Sequence, residues 1–246
     1  MNVIVVENYD EMSLRASEIV EQQVLKNAKS ILGLATGSTP LGLYGKMIEG
    51  FKNRGVSYEQ IKTINLDEYQ GLNRNHPNSY HSFMYENLFQ HIDIQMRNTY
   101  LPDGQARSVE EECERYEALI DRLGPVHLQI LGMGTNGHIG FNEPGTPEDS
   151  LTHCVELDES TRKNNARFFE SPDAVPTHAI TMGIASILKS DRILLLASGK
   201  KKAPAVKKLM EQQVSEDFPA SFLWNHDDVT LIADRDAYQL VEPERQ

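Results

Sequence analysis

The fold is decided by an apolar run and the glycine-rich segment that follows it, Val126-His127-Leu128-Gln129-Ile130-Leu131-Gly132-Met133-Gly134-Thr135-Asn136-Gly137-His138-Ile139-Gly140-Phe141-Asn142-Glu143-Pro144-Gly145. The first six residues predict a buried strand. The glycines allow tight turns and a close approach of the backbone to a ligand. Because Gly140, Pro144 and Gly145 oppose a regular helix, the segment is predicted to be a loop at the end of a strand.

The same loop carries three side chains suited to proton transfer. His138 can take or give a proton near neutral pH, and the carboxylate of Glu143 can select its tautomer and stabilise its charged form. Asn136 supplies an amide beside them. The pattern therefore predicts a catalytic loop.

Two other interpretations of this loop remain open at this point. Gly132, Gly134 and Gly137 match the dinucleotide-binding pattern G-x-G-x-x-G, but that pattern should open a helix whose N-terminus receives the pyrophosphate. The prolines and glycines that follow do not favour such a helix. The loop could also be a plain glycine-rich turn that happens to contain a histidine.

The remaining chain alternates between apolar runs and amphipathic segments. Strands are predicted at 3–6, 30–35, 63–66, 126–131, 192–197 and 229–233, and helices at 10–27, 41–54, 76–89, 108–123, 182–188 and 199–212. Asp10 and Thr39 are the predicted N-caps of the first two helices. Continuous apolar strands separated by helices predict one α/β domain over residues 1–246. Its core would be a single open, mostly parallel, twisted sheet with helices on both faces, as in Rossmann-like folds.

Residues 145–178 have a mixed pattern rich in proline and glycine. A short strand is predicted at 152–157 and a helical turn at 159–165, with irregular chain up to His178. Long irregular segments in compact domains often close over an active site. The segment is therefore predicted to be a mobile lid.

Composition excludes several classes of partner. The chain has 246 residues, 39% of them hydrophobic, and a formal net charge of -12, which argues against nucleic acid and anionic membranes as partners. No apolar run approaches the roughly 18 residues that span a membrane, and the N-terminus does not resemble a secretory signal. Two cysteines, Cys113 and Cys154, are expected to be reduced thiols in a cytoplasmic protein.

Four polar loops follow predicted strands: 36–40, 67–69, 132–145 and 198–202. Because ligands bind beyond the carboxyl ends of parallel strands, all four are expected to converge on one site. Thr36, Gly37, Ser38 and Thr39 precede a helix whose free N–H groups suit a phosphate, although an ordinary capped turn has the same appearance.

Charged residues in the other loops have a functional and a structural interpretation. One lysine of Lys200–Lys202 can meet a phosphate, or the run is a solvated helix face. Arg167 can offer a guanidinium group that forms two hydrogen bonds with a phosphate. Asp67 can accept a proton or cap the next turn. His76 and His81 are interpreted as structural. The residues alone thus predict a site for a phosphorylated small molecule, with no metal or cofactor motif.

Four motifs in this order resemble those of the glucosamine-6-phosphate deaminases: Leu34-Ala35-Thr36-Gly37-Ser38-Thr39-Pro40, Asn65-Leu66-Asp67-Glu68-Tyr69, the segment from Gly132 to Pro144, and Thr161-Arg162-x-Asn164-x-x-Arg167-Phe168-Phe169. The likeness covers nearly the whole chain. It implies conversion of glucosamine 6-phosphate and water to fructose 6-phosphate and ammonia, without a metal or organic cofactor.

The resemblance also implies a role for each candidate residue. His138 would open the sugar ring, oriented by Glu143 and Asn136. Asp67 would move a proton from C2 to C1 of the open-chain sugar. The phosphate would bind a set of turn residues and cations: Thr36, Gly37, Ser38, Thr39, Arg167 and Lys202. Lys202 is preferred to its neighbour Lys201 because it aligns with the family lysine.

The chain departs from the family pattern in two places. Many members have aspartate at Asn136. Allosteric hexameric members, which N-acetylglucosamine 6-phosphate activates, have an arginine and a lysine where His153 and Val155 stand here, and a longer C-terminus. We therefore expect no such activation, and a monomer or small homo-oligomer.

Alternatives remain open. A 6-phosphogluconolactonase-like hydrolase or another phosphosugar isomerase would have the same fold. A non-catalytic sugar-phosphate sensor is the third alternative. The sequence also leaves open whether the amino sugar is the glucosamine or the galactosamine epimer.

Overall fold

A computed structural model describes residues 1–159, 162–163, 166, 169, 171 and 174–241. Its strands are β1 (Asn2–Val6), β2 (Ile31–Leu34), β3 (Lys62–Asn65), β4 (Asp67–Tyr69), β5 (Thr99–Tyr100), β6 (Leu128–Gly132), β7 (His153–Glu156), β8 (His178–Thr181), β9 (Ile193–Ala197) and β10 (Val229–Asp234). Its α-helices are α1 (Tyr9–Lys26), α2 (Leu41–Arg54), α3 (Tyr80–Asn87), α4 (Val109–Leu123), α5 (Ile184–Leu188), α6 (Ala203–Met210) and α7 (Arg235–Tyr238). Short 3-10 helices cover Phe89–His91, Met96–Asn98, Lys200–Lys202 and Pro219–Asn225.

Seven strands form one open sheet in the order β1-β10-β9-β6-β2-β3-β5, and every neighbouring pair is parallel. Strands β2, β9 and β10 are buried at every position, which explains their continuous apolar sequences. Strand β6 is the central strand, so the loop that follows it leaves the middle of the sheet. The predicted α/β fold with a mostly parallel sheet is confirmed.

Helices cover both faces of this sheet. Ile130 of β6 packs in a core that contains residues of α1, α2 and α3, whereas the next residue, Leu131, packs in a core that contains residues of α4 and α6. Successive side chains of a strand point to opposite faces, so one apolar run supplies both cores. This arrangement confirms the predicted placement of helices on both faces of the sheet.

A second, smaller sheet was not predicted. Strands β4, β8 and β7 pair antiparallel in the order β4-β8-β7. Residues 67–69 were predicted as a loop, and the chain up to His178 as irregular. Strands of three or four residues are too short to show a periodicity, and β8 pairs with a strand more than 100 residues away in the sequence. This small sheet matters because β4 carries Asp67.

The predicted caps of the first two helices are wrong. Asn8 caps α1, and its side chain accepts a hydrogen bond from the N–H of Glu11, whereas Asp10 lies inside the first turn. Pro40 stands at the cap of α2 without a side-chain hydrogen bond, so Thr39 does not cap that helix. The side chain of Thr39 is therefore available for another partner.

Two further helices differ from the prediction at their start. The helix predicted from residue 76 begins at Tyr80, because Ser79 caps it by accepting the N–H of Ser82. The helix predicted over 199–212 opens with the 3-10 turn Lys200–Lys202 and continues as α6.

The predicted lid, residues 145–178, contains β7, which confirms the short strand predicted there. The helical turn predicted at 159–165 lies partly outside the described residues, and Arg167 lies outside them as well. Mobility of the lid stays a prediction. In the part of the chain that the structure describes, no helix is both long and apolar enough to cross a bilayer.

Candidate active site

The loop that follows β6 has a close-packed backbone. Gly137 has a φ angle of +89°, and a Cβ atom there would lie 2.2 Å from Cδ2 of Phe218. A Cβ atom on Gly134 would lie 2.4 Å from Cε1 of His138, so the imidazole rests against the backbone. No helix lies within residues 133–152. The glycine spacing is therefore not a dinucleotide-binding turn, which needs a helix at this place.

His138 lies beside Asn136 and Glu143, the two residues that the sequence grouped with it. Nδ2 of Asn136 donates to Oε2 of Glu143 over 2.6 Å, and Oδ1 of Asn136 accepts the N–H of His138 over 3.2 Å. The same Glu143 oxygen lies 3.4 Å from Nδ1 of His138, which forms no hydrogen bond in the described structure. A small approach would complete an Nδ1–H···carboxylate bond, leaving Nε2 to exchange a proton with a ligand.

Hydrogen bonds attach this loop to the small sheet. Nδ2 of Asn142 donates to the carbonyl oxygens of Ile139 and Met182, each over 2.8 Å. The N–H of Phe141 donates to Oγ1 of Thr181 over 3.1 Å. Thr181 ends β8 and Met182 follows it, so the loop has a fixed position relative to the strand that pairs with β4.

Asp67 is the first residue of β4 and pairs with Thr181 of β8. A Cβ atom on Gly140 would lie 3.8 Å from Oδ2 of Asp67. Gly140 is two residues from His138 in the same loop. The structure thus brings the Asp67 carboxyl group next to the loop that carries the imidazole.

The carboxyl group of Asp67 has an unusual affinity for protons. The residue is 6% exposed, and burial raises its pKa from 3.8 to about 8, with a smaller contribution from the negative charge of Glu68. A carboxylate with a raised pKa is a stronger base than an exposed one. Such a group is suited to remove a proton from carbon.

Glu68, to which the sequence assigned no role, organises the start of α3. Its Oε1 accepts the N–H groups of Tyr69 and Tyr80, and its Oε2 accepts the N–H of His81 and lies 2.9 Å from Nδ1 of that residue. It is 1% exposed. Because α3 begins twelve residues after Glu68, no local signal reveals this cap. His81 occupies the structural role that was expected.

The turn 36–40 has the features of an anion site. Gly37 has a φ angle of +89°. Within the described residues, the backbone N–H groups of Thr36 to Thr39 donate no hydrogen bond to other backbone groups. They precede the N-terminus of α2, where the helix dipole favours negative charge. A Cβ atom on Gly132 would lie 3.8 Å from Oγ1 of Thr39, which places this turn beside the loop after β6.

The three lysines before α6 have different environments. Lys200 and Lys201 are exposed, whereas Lys202 is partly buried and its Nζ donates to the carbonyl oxygen of Met133 over 2.6 Å. Burial lowers the pKa of Lys202. Among the three, the structure places Lys202 against the loop after β6.

The loop 132–145 therefore contacts each of the other three loops: the turn 36–40 through Gly132, Asp67 through Gly140, and Lys202 through Met133. This convergence is the one expected from the sequence. Among the described residues, no group of three or more His, Cys, Asp or Glu side chains could hold a metal ion. The arrangement combines a buried carboxyl group, an imidazole beside a carboxylate, and a turn whose N–H groups have no backbone acceptor in the described structure.

Comparison with known proteins identifies the family. The family model for glucosamine-6-phosphate isomerases/6-phosphogluconolactonase matches residues 7–232. The glucosamine-6-phosphate deaminase of Geobacillus sp. (strain WCH70) is 54% identical over 246 residues, which cover 100% of this chain and 98% of the relative. Glucosamine-6-phosphate deaminase 1 of Bacillus subtilis (strain 168) is 51% identical over 240 residues, 98% of this chain and 99% of the relative.

A solved structure of a monomeric glucosamine-6-phosphate deaminase has a TM-score of 0.96 to this protein at 51% identity. The match covers 98% of this chain and 100% of the other. The family model, the sequence identity to these relatives and the match of the folds agree, so the chain belongs to the glucosamine-6-phosphate isomerase/6-phosphogluconolactonase family.

Proposed function

We propose that the protein is a glucosamine-6-phosphate deaminase, which converts glucosamine 6-phosphate and water to fructose 6-phosphate and ammonia. The observation that carries this proposal is the position of the buried Asp67 carboxyl group beside the loop of His138. The relatives that are about half identical over their full length have the same activity in their names.

The substrate phosphate binds at the turn formed by Thr36, Gly37, Ser38 and Thr39. The support is the row of N–H groups without backbone acceptors at the start of α2. Lys202 supplies a cation from the neighbouring loop, and Arg167 supplies a second one. The site then holds the sugar by its anionic end and leaves C1 and C2 toward Asp67 and His138.

His138 opens the pyranose ring. It takes the proton of the C1 hydroxyl group and returns one to the ring oxygen, which produces the open-chain aldehyde. Glu143 stabilises the imidazolium, and Asn136 holds Glu143 through the 2.6 Å hydrogen bond. This pair keeps Nδ1 protonated, so that Nε2 exchanges the proton.

Asp67 then moves hydrogen between two carbons. It removes the proton from C2 of the aldehyde, and O1 takes up a proton that the ammonium group on C2 loses, which gives an enolamine. A proton is then returned to C1. The product is a C2 imine with a C1 hydroxymethyl group. Water adds to C2 and ammonia leaves, giving the ketone of fructose 6-phosphate. A positioned base contributes about 10²–10⁴ to the rate of such a step.

The surroundings of the reaction are also part of the proposal. Residues 145–178 close over the bound sugar as a lid. The protein works as a monomer or small oligomer and is not activated by N-acetylglucosamine 6-phosphate, in line with His153 and Val155 in place of charged ligands. A phosphorylated substrate that does not cross membranes fits a cytoplasmic location.

The test is product analysis with the purified protein. Glucosamine 6-phosphate should yield ammonia and fructose 6-phosphate in equal amounts, at a rate that follows a hyperbola with or without N-acetylglucosamine 6-phosphate. Galactosamine 6-phosphate, assayed beside it, decides the epimer. Hydrolysis of 6-phosphogluconolactone without ammonia release from either amino sugar would contradict the proposal in favour of a lactonase.

A further inference from the structure

Tyr9 lies outside every motif noted above, yet its hydroxyl group contacts backbone carbonyl groups of the turn 36–40, the proposed phosphate site. The hydroxyl lies 3.0 Å from the carbonyl oxygen of Ser38 and 3.1 Å from that of Thr39, to which it donates. It also accepts the N–H of Gly42 over 2.8 Å. One side-chain oxygen thus bonds to three backbone groups across the turn and the first turn of α2.

These bonds determine which way the turn presents its N–H groups. The Ser38–Thr39 peptide is trans, so its N–H points opposite to its carbonyl oxygen. Because Tyr9 holds the carbonyl on its own side, the N–H of Thr39 points to the other side. The Oγ1 of Thr39 lies near Gly132 of the catalytic loop.

We infer that Tyr9 is a positioning residue, whose hydroxyl group holds the turn 36–40 in the conformation that binds a phosphate group. This inference deepens the proposed function and rests on its phosphate site. Tyr9 itself does not touch the substrate. It acts through the backbone of Ser38 and Thr39.

The hydroxyl group is separable from the packing role of the ring. The ring packs on α2, where a Cβ atom on Gly42 would lie 2.9 Å from Cε1 of Tyr9, and the backbone carbonyl of Tyr9 accepts the hydroxyl of Ser13. Both contacts survive in Tyr9→Phe. The substitution removes only the three bonds to the turn and to α2.

A matched control exists in the same core. Tyr58 is 1% exposed and packs with residues of α1 and α2, but its hydroxyl group forms no hydrogen bond in the described structure. Tyr58→Phe therefore removes the same atom from the same layer without changing the turn.

The experiment compares both variants with the wild type in steady-state kinetics and in competitive inhibition by inorganic phosphate. In Tyr9→Phe, KM for glucosamine 6-phosphate and the inhibition constant of phosphate should both rise about 3–10-fold, the usual worth of a hydrogen bond, while kcat changes less than twofold. Tyr58→Phe should change neither constant.

Three results would overturn the inference: unchanged KM and phosphate inhibition in Tyr9→Phe, a loss confined to kcat, or an equal change in Tyr58→Phe. Protection by inorganic phosphate against thermal unfolding separates this inference from the proposed function, because it needs no turnover. Suppose that the wild type releases no ammonia, but that phosphate protects the wild type more strongly than it protects Tyr9→Phe. The proposed function would then be wrong and the inference would stand. If phosphate did not protect the wild type, the inference would fail.

Discussion

Asp67→Asn should make the protein more stable and nearly inactive at the same time. The folded carboxyl group has a pKa of about 8, against 3.8 in an exposed chain, because it is buried in the native protein. Well below pH 3.8 both the folded and the unfolded forms hold this proton, so the group has no effect on the free energy of unfolding. As the pH rises toward 8, only the unfolded form releases the proton, and the wild type loses stability.

The size of this effect follows from the two pKa values. Their difference corresponds to about 6 kcal/mol of free energy of unfolding well above pH 8, and to about 4 kcal/mol between pH 5 and pH 8.5. Asparagine has the same shape and does not titrate. The variant should therefore gain on the order of 4 kcal/mol relative to the wild type between these two pH values. Its kcat should fall about 10²–10⁴-fold, the usual contribution of a general base.

Urea unfolding at pH 5 and pH 8.5, with Asp191→Asn as a matched change at an exposed aspartate, measures the stability. Ammonia release measures kcat. Inorganic phosphate should inhibit the variant as well as the wild type, because the phosphate turn is untouched. Parallel stability of variant and wild type across pH, or a kcat within threefold of the wild type, would refute the reasoning.

Three other substitutions test neighbouring parts of the site. Glu68→Gln removes a negative charge that raises the pKa of Asp67. We expect kcat/KM to rise with pH as Asp67 loses its proton, and this rise should move to lower pH in the variant. An unchanged pH profile with a lower kcat would mean that Glu68 has a structural role alone. Lys202→Met should raise KM about 10-fold or more, because it removes a charged hydrogen bond to the substrate phosphate, whereas Lys201→Met should leave KM unchanged. Equal effects of the two substitutions would show that Lys202 is not the phosphate-binding lysine. Gly137→Ala should lower the melting temperature and the activity together, since it adds about 1–3 kcal/mol of backbone strain and a clash; thermal unfolding unchanged from the wild type would contradict this.

Much of this fold can be predicted from local patterns of apolar and polar residues. Continuous apolar runs such as 126–131 predict the parallel strands, because a strand buried on both faces must be apolar throughout. Polar residues directly after those runs predict where the site lies, because parallel strands end at one edge of the sheet. Asp67, His138 and Lys202 were predicted as site residues in this way, and the structure places their loops in contact.

Other features depend on contacts between distant parts of the chain. The pairing of Asp67 with Thr181 joins residues more than 100 positions apart, and Tyr9 bonds to carbonyl groups 29 and 30 residues away. No local periodicity reports such contacts. Thr39 is a residue type that commonly caps helices, but Pro40 occupies the cap position of α2, so the Thr39 hydroxyl group does not cap this helix. Residue type alone does not show whether a threonine before a helix caps that helix or leaves its hydroxyl group uninvolved in the cap.

The most direct measurement follows the hydrogen on C2 of glucosamine 6-phosphate by nuclear magnetic resonance in deuterium oxide, together with ammonia release. The wild type should break the C2–H bond and release ammonia, whereas Asp67→Asn should do neither, although inorganic phosphate still competes for its site. Loss of the C2 hydrogen by Asp67→Asn at the wild-type rate would show that another group removes it, and would contradict the account.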